Sequence, residues 1–176
     1  WVCLVSDDCS PPKGYEAILS ALEGDDRFVL SRSPGRLGFY RNFERALAAV
    51  PEGVEFVALS DQDDVWYPDK LESLVSGIGD AQLIYSDQRI VGEHGEVLAE
   101  SYWGERSNSF DSLTSMLVAN TVTGAASLMR RSLLEKALPF PETPGTQYHD
   151  QWLALVALAE GKINYVDRPL YDYVQH

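Results

Sequence analysis

The sequence predicts an α/β domain whose mostly parallel sheet carries helices on both faces. In the first half, short continuous apolar runs alternate with segments whose apolar residues recur every three or four positions. Strands buried on both faces lack polar alternation, and helical crossovers between them are typical of a parallel sheet. The chain has 176 residues, 45% of them hydrophobic, which suits one domain with a sizeable core.

Local signals define the elements of the first half. Apolar runs predict strands at 1–5, 27–31, 55–60 and 81–87. Apolar residues with helical spacing predict helices at about 11–22, 39–50 and 68–76. Ser10, Pro11 and Pro12 are typical of a helix start, and Pro51 with Gly53 ends the second helix.

The second half predicts an α+β extension of the same domain. The segment "RIVGEHGEVLAE" (89–100) predicts a hairpin that turns near residues 93–95. Helices are expected at about 110–119, 131–138 and 149–161, a strand at 122–130, and extended segments at 162–166 and 169–174. A Pro-rich loop separates the last two helices.

Charge and composition exclude several classes of function. The chain has 14 basic and 27 acidic residues, and 14 − 27 gives a net charge of −13. Such a surface repels nucleic acid, and it repels a phosphorylated ligand unless a cation or a local basic cluster compensates. Cys3 and Cys9 form no disulfide framework and have no zinc spacing, so a reducing compartment is expected. The sequence contains no membrane-length apolar run and no signal peptide.

Carboxylates follow two of the predicted strands directly. Asp7 and Asp8 come after the first strand, and Asp61, Asp63 and Asp64 come after the third. Ligands of open parallel sheets bind beyond the carboxyl ends of the strands. Crowded carboxylates repel one another unless they hold a hard cation such as Mg²⁺ or Mn²⁺, which could also grip a diphosphate.

The segment 61–72 allows three other interpretations. An EF-hand calcium loop matches at the acidic positions, but Trp66 stands where the sharp turn needs Gly, and Val65 offers no side-chain oxygen. A phosphoryl-transfer aspartate would need activating partners that the sequence does not identify. A solvated turn with Asp61 or Asp64 capping a helix is a third possibility, although the bulky Val-Trp-Tyr that follows does not suit it.

Four motifs in order resemble family 2 of the inverting glycosyltransferases, which have the GT-A fold. They are "VSDDCS" (5–10), "LSDQDDVWYPDKLE" (59–72), "TGAASLMRRSLL" (123–134) and "YHDQWL" (148–153). The nearest resemblance is to the bacterial rhamnosyltransferase-like branch, which builds surface polysaccharides. Members of the family begin with a strand that is not found before Trp1, so we expect the chain to be part of a longer protein.

The resemblance implies roles for individual residues in the metal and catalytic sites. Asp61 and Asp63 match the Asp-x-Asp that binds the divalent ion on the donor diphosphate. Asp64 extends this motif toward the ribose or supports the loop. Asp150 matches the general base, with the alternative that it only favours the dipole of its helix. His176 matches a late histidine that reaches the metal or the diphosphate, with an unstructured terminal residue as the alternative.

Other residues match the nucleotide and acceptor sides of the family site. Asp8, with Asp7 beside it, matches a carboxylate that accepts a hydrogen bond from the nucleotide base, with an N-cap or Asx turn as the alternative. Arg36, Arg41 and Asn42 lie in a segment that flanks the nucleotide or is simply a solvated helix start. Gly124 and Ala125 match a backbone segment lining the sugar and acceptor site.

The resemblance also implies the overall activity. It is transfer of a sugar, with inversion, from a nucleoside-diphosphate sugar to a hydroxyl of a saccharide or lipid-linked saccharide, with Mn²⁺ or Mg²⁺ as cofactor. Residues 1–87 form the expected nucleotide-binding half, and residues 88–176 form the acceptor and catalytic half, where Tyr102 and Trp103 are expected on the acceptor side. The expected location is the cytoplasm, with possible association with the inner membrane face. A nucleotidyltransferase that makes sugar nucleotides and a non-catalytic binding module are the alternatives.

Overall fold

A computed structural model describes residues 1–142 and 148–176 of the chain. The chain divides into two compact units, each considered by itself. The first unit contains residues 1–53 and 138–149, and the second contains residues 54–137 and 150–176. This division differs from the functional halves that the sequence predicts, which stay a prediction. In the described part of the chain, no helix has both the length and the apolar character needed to cross a bilayer.

The first unit contains a two-stranded parallel sheet and two helices. Its elements are β1 (Cys3–Asp7), α1 (Pro12–Leu22), β2 (Phe28–Arg32) and α2 (Phe39–Ala48). β1 pairs with β2 in parallel, as the crossover through α1 requires. Pro11, not Ser10, is the N-cap of α1, and it makes no side-chain capping bond.

The second unit contains the remaining elements, including most of α6. The strands are β3 (Phe56–Ala58), β4 (Val65–Trp66), β5 (Leu83–Gly92), β6 (Val97–Ala99), β7 (Ser127–Arg130) and β8 (Ile163–Gln175). The helices are α3 (Lys70–Gly77), α4 (Leu113–Val118), α5 (Leu134–Ala137) and α6 (His149–Glu160), with short 3₁₀ turns at Gly124–Ala126 and Arg131–Leu133.

The six strands of the second unit form a mixed sheet. The order is β3-β7-β5-β8-β4, and β6 pairs with β5. β3, β5 and β8 run in one direction, and β7 runs in the opposite direction between β3 and β5. In this sheet only the β5–β8 pair is parallel, because the antiparallel β7 is inserted between β3 and β5, which share the direction of β8. A continuous apolar run indicates burial on both faces but carries no information about strand direction.

Both faces of this sheet are covered. Leu74 and Ile78 of α3 pack against Ile84, Leu128 and Leu170, which belong to three neighbouring strands. On the opposite face, the rings of Tyr85 and Tyr165 contact Phe110 in the segment before α4. Nine of the ten residues of β5 are buried, including the polar Ser86, Asp87 and Gln88 in the middle of the strand.

β8 replaces two segments that the sequence predicts as separate. Its pairing with β5 shifts between Ser86, which lies opposite Val166, and Asp87, which lies opposite Pro169. Asp167 and Arg168 therefore form a bulge within one long strand. The bulge carries the end of β8 to the loop that follows β3.

Candidate active site

The loop at residues 61–64 connects β3 to β4 and carries three carboxylates. The end of β8 holds this acidic loop. The backbone N–H of Val174 donates to Asp64 Oδ1 at 3.4 Å. The imidazole Nε2 of His176 lies 2.7 Å from Asp63 Oδ2. Two residues that the sequence places more than a hundred positions apart, His176 and Asp63, are thus direct neighbours.

The acidic loop is electrostatically strained. Burial raises the pKa of Asp61, and the charge of Asp63 raises it further. Burial and the neighbouring Asp61 raise the pKa of Asp64 to about 6, although the Val174 N–H opposes the shift. The Oδ2 atom of Asp64 is buried and has no hydrogen-bond partner among the described residues. A nearby cation would relieve both the repulsion and the unpaired oxygen.

The donor atoms of this loop fit a hard divalent cation shared with a substrate. Asp63 Oδ2 and His176 Nε2 are hydrogen-bonded at 2.7 Å, so a carboxylate oxygen and an imidazole nitrogen meet at one point of the loop. Within the described ranges, no three His, Cys, Asp or Glu side chains are grouped so that they could hold a metal ion alone. A partial protein set completed by phosphate oxygens is the usual arrangement for Mg²⁺.

A buried lysine lies beneath the acidic loop. Lys70, in the first turn of α3, is 0% exposed, and its Nζ lies 4.0 Å from the ring centroid of Trp66 and 4.1 Å from that of Tyr171. The ammonium donates to the carbonyl oxygen of Ala125 at 2.5 Å. Burial lowers the pKa of Lys70 to about 7, while the charges of Asp64 and Asp61 act in the opposite direction. Sequence reasoning missed this residue because a lysine in a helix is normally solvated.

The lowered pKa of Lys70 predicts a pH-dependent stability. Between pH 7 and pH 9 the unfolded chain keeps the proton of Lys70 while the folded chain loses it, so stability increases as pH rises. The free energy of unfolding is expected to increase by about 2 kcal/mol from this group over that range. Urea unfolding of the wild type and of Lys70→Met at both pH values measures it. Lys70→Met should lack the increase, and an equal increase in the variant would exclude Lys70 as its source.

Asp150 lies in the first turn of α6 and is held by three donors from the second unit. Asn120 Nδ2 donates to Oδ1 at 3.1 Å, the Gln151 N–H donates to Oδ1 at 2.6 Å, and the Gly124 N–H donates to Oδ2 at 3.3 Å. Burial raises the pKa of Asp150 to about 6 against the effect of these N–H groups, and the charge of Asp61 raises it further. Burial therefore outweighs the opposing backbone hydrogen bonds from Gln151 and Gly124.

The 3₁₀ turn at Gly124–Ala126 contacts both Asp150 and Lys70, the lysine beneath the acidic loop. Its Gly124 N–H binds Asp150, and its Ala125 carbonyl accepts from Lys70. All three residues of the turn are buried. Gly124 and Ala125, predicted to line the sugar site, thus also orient the candidate base and contact the lysine beneath the acidic loop. Asn120, which sequence reasoning also missed, completes the support of Asp150.

In the first unit, Asp8 and Asp7 bind their own surroundings. Asp8 accepts hydrogen bonds from the N–H groups of Leu37 and Gly38 at 2.6 and 2.9 Å, which fixes the loop before α2. Asp7 is buried, and its Oδ2 lies 3.2 Å from Nε of Arg32. These contacts favour a structural role at least as much as the predicted contact with a nucleotide base, which stays a prediction.

The other predicted residues of this unit differ in their contacts. The Ser6 hydroxyl donates to Asn42 Oδ1 at 2.8 Å, and Asn42 Nδ2 donates to the Ser6 carbonyl oxygen at 2.8 Å. Arg36 is exposed and makes no hydrogen bond or ion pair with the described part of the chain. Arg41 forms an ion pair with Glu44 at 2.7 Å and donates to the Phe140 carbonyl. Arg36 is thus the residue of this group that remains available to a ligand.

His149, the residue before Asp150, is buried. Its ring stacks on Phe43 with a centroid distance of 3.8 Å, and Phe39 lies edge-on at 6.4 Å. Burial lowers the pKa of His149 to about 4, so the imidazole is neutral at physiological pH.

Sequence comparison connects this geometry with a known family. The family described as Glycosyl transferase family 2 matches residues 1–138, which include the acidic loop and the Gly124–Ala126 turn. The chain belongs to glycosyl transferase family 2. No curated protein sequence shows a significant match to it.

Solved structures show the same fold at low sequence identity. S. aureus TarS (residues 1–349) superposes with a TM-score of 0.70 and 18% identity, covering 98% of this chain and 51% of that one. The mannosyltransferase PcManGT from Pyrobaculum calidifontis, in complex with GDP-Man and Mn²⁺, superposes with a TM-score of 0.68 and 18% identity, covering 99% of this chain and 47% of that one. The predicted α/β GT-A fold is confirmed. The family 2 chain spans about half the length of these two proteins.

Proposed function

We propose that this family 2 chain is the catalytic domain of a metal-dependent inverting glycosyltransferase. It transfers a sugar from a nucleoside-diphosphate sugar to a hydroxyl of a saccharide or lipid-linked saccharide acceptor. One observation carries the proposal: Asp150 is a half-buried carboxylate held by Asn120 and Gly124, and burial together with the charge of Asp61 in the acidic loop raises its pKa to about 6. In this proposal Asp150, the proton acceptor, and the acidic loop, whose carboxylates attract a cation, belong to one site.

Asp150 acts as the general base. A hydroxyl becomes a good nucleophile only as its proton is removed, and a base with a pKa near the working pH is the most effective acceptor. A carboxylate with a pKa of about 6 is mostly ionised at pH 7 and is more basic than an ordinary aspartate. The donors from Asn120 and Gly124 hold it in one orientation.

The acidic loop serves the leaving group. Asp63 and His176 would hold a divalent cation, which when bound supplies positive charge for the oxygens of the departing diphosphate. Asp61 and Asp64 add negative charge that favours the cation, and Lys70 fixes the loop to the Gly124–Ala126 turn from beneath. Asp64 remains a proposed contact for the ribose or a support of the loop.

Inversion follows from the use of one base. A base that activates the acceptor on the face opposite the leaving group produces a single displacement, with no covalent sugar–protein intermediate. The PcManGT complex with GDP-Man and Mn²⁺ supports a nucleotide-sugar donor and a divalent ion for this fold. A rhamnosyltransferase-like role in surface polysaccharide synthesis, at the inner membrane face, is part of the same proposal.

A binding and transfer screen tests the proposed function. We expect a UDP-, GDP- or dTDP-sugar to raise the melting temperature of the protein in the presence of Mn²⁺, because a ligand that binds only the folded state stabilises it. The same nucleotide sugar should then be consumed when saccharide acceptors are added. Stabilisation without turnover would favour the non-catalytic binding module. Release of pyrophosphate from a sugar phosphate and a nucleoside triphosphate would favour the nucleotidyltransferase.

A further inference from the structure

A short aromatic loop at residues 101–103 is fixed by a buried carboxylate. Asp87 of β5 is 3% exposed. It accepts hydrogen bonds from the hydroxyl of Ser101, from the Tyr102 N–H at 3.0 Å and from the Trp103 N–H at 3.2 Å. The Tyr102 N–H also lies 2.9 Å from the carbonyl oxygen of Gln88. The hydrogen bonds of the buried Asp87 side chain thus order three consecutive loop residues.

The rings of Tyr102 and Trp103 are partly exposed, and the Asp87 hydrogen bonds, not ring packing, order the loop. Tyr102 and Trp103 are only half-buried, and the residues after them, 104–107, are exposed. The two rings meet edge-to-face with centroids 4.9 Å apart, and the guanidinium of Arg106 lies 4.1 Å from the Tyr102 ring centroid. Packing within the domain leaves a minor part of the surface of Tyr102 and Trp103 open to solvent. Ordered, partly exposed aromatic rings are typical of binding sites, because little conformational entropy is lost when a ligand binds.

The backbone of the aromatic loop is linked through core residues to the surroundings of the acidic loop. Tyr102 binds Gln88, and Gln88 Oε1 accepts from the Tyr171 hydroxyl at 2.7 Å. The Tyr171 ring contacts the Lys70 ammonium beneath the acidic loop. Three residues further along β8, Val174 donates to Asp64. A continuous set of contacts within the second unit therefore joins the aromatic loop to the loop at 61–64.

The chemistry of these side chains matches a sugar ring. A pyranose has an apolar face of C–H groups, which packs on aromatic rings, and hydroxyl groups that hydrogen bond to its surroundings. Tyr102 and Trp103 offer apolar ring surface with a hydroxyl and an indole N–H, and Arg106 and Glu105 add exposed polar groups.

We propose that Tyr102 and Trp103 form the sub-site that binds the acceptor sugar, and that Asp87 is the positioning residue that presents them. The assignment of the bound sugar as the acceptor rests on the proposed glycosyltransferase function. The binding of a saccharide at these rings does not depend on that function. Trp103 supplies the main stacking surface. Tyr102, which is already covered on one side by Arg106, completes the sub-site.

Direct saccharide binding tests this sub-site without requiring catalysis. Saturation-transfer NMR with the methyl glycosides of mannose, glucose, galactose and rhamnose is recorded in EDTA for the wild type and for Trp103→Ala, Tyr102→Ala and Asp87→Asn. We expect at least one glycoside to bind the wild type, and Trp103→Ala to weaken it about tenfold or more. Asp87→Asn keeps both rings and should weaken binding less than Trp103→Ala. Trp1→Ala, which removes a 70% exposed tryptophan in the first unit, is the matched control and should bind normally.

Three results would overturn the sub-site. They are absence of glycoside binding to the wild type at about 10 mM, unchanged binding in Trp103→Ala with normal near-UV circular dichroism, and displacement of the glycoside by a nucleotide sugar through the donor position. Failure of the proposed function is a separate result, since it appears as absence of nucleotide-sugar turnover in a wild type that still binds the glycoside. In that case the rings form a saccharide site of a binding module.

Discussion

Replacing Asp150 with asparagine is expected to lower the rate of sugar transfer by about 10²–10⁴-fold, the usual contribution of a general base. Asparagine keeps the size of the side chain and can still accept from the Gly124 N–H or from Asn120, so the fold should persist. Affinity for the nucleoside diphosphate should stay within a few-fold, because the acidic loop is unchanged. Initial rates of transfer and calorimetric titration with the nucleoside diphosphate measure the two quantities.

The pH dependence of transfer distinguishes a base from a structural carboxylate. Burial raises the pKa of Asp150 to about 6, so the proton-accepting form is lost as pH falls through this value. The wild-type rate should therefore rise with pH and level off above about pH 7. Asp111→Asn, a change at an exposed aspartate of the same unit, should keep both the rate and the profile. An Asp150→Asn variant with wild-type transfer would show that the base is elsewhere.

Replacing Asp63 with alanine is expected to remove the effect of metal on donor binding. In the wild type, Mn²⁺ should tighten binding of the nucleoside diphosphate, because phosphate oxygens complete a coordination shell begun by Asp63 and His176. Loss of Asp63 should weaken the Mn²⁺-dependent binding of the nucleoside diphosphate by about tenfold or more. Removal of a residue that only hydrogen-bonds to a metal ligand already costs about this much. Titration with and without Mn²⁺ measures the difference between the two affinities.

His176→Ala and Asp80→Ala serve as comparisons for this change. His176 contributes one candidate donor, so its removal should reduce the metal effect to a smaller extent than removal of Asp63. Asp80 is an exposed carboxylate that pairs with Lys162, and its loss should leave the metal effect intact. Equal affinity with and without Mn²⁺ in the wild type would contradict the assignment of the acidic loop.

The sequence predicted the parts of the fold that depend on local patterns. The strands near 3–7, 28–32 and 56–58 and the helices between them were located to within a few residues, because burial and helical spacing are visible along the chain. The direction of β7 was not predictable, because it depends on its pairing with β3 and β5, which lie far away in the sequence. The union of two predicted extended segments into β8 depends on a bulge at Asp167 and Arg168, which spacing alone does not reveal.

The candidate site shows the same limit. Asp61, Asp63 and Asp150 could be named from the position of carboxylates after a strand and at a helix start, combined with the family resemblance. The resemblance predicts that His176 reaches the metal or the diphosphate, and the structure places its imidazole in contact with Asp63. The burial of Lys70 and the support from Asn120 were missed, because a side chain's environment is created by residues distant in sequence.

A crystal structure of the protein with Mn²⁺ and a nucleoside diphosphate tests most directly whether the acidic loop and Asp150 form one catalytic site. The expected result is an anomalous Mn²⁺ peak bound by Asp63 and His176 together with diphosphate oxygens, with the Asp150 carboxylate facing the space in which the transferred sugar would lie. An absent peak, a peak remote from residues 61–64, or an Asp150 side chain directed away from the bound nucleotide would contradict it.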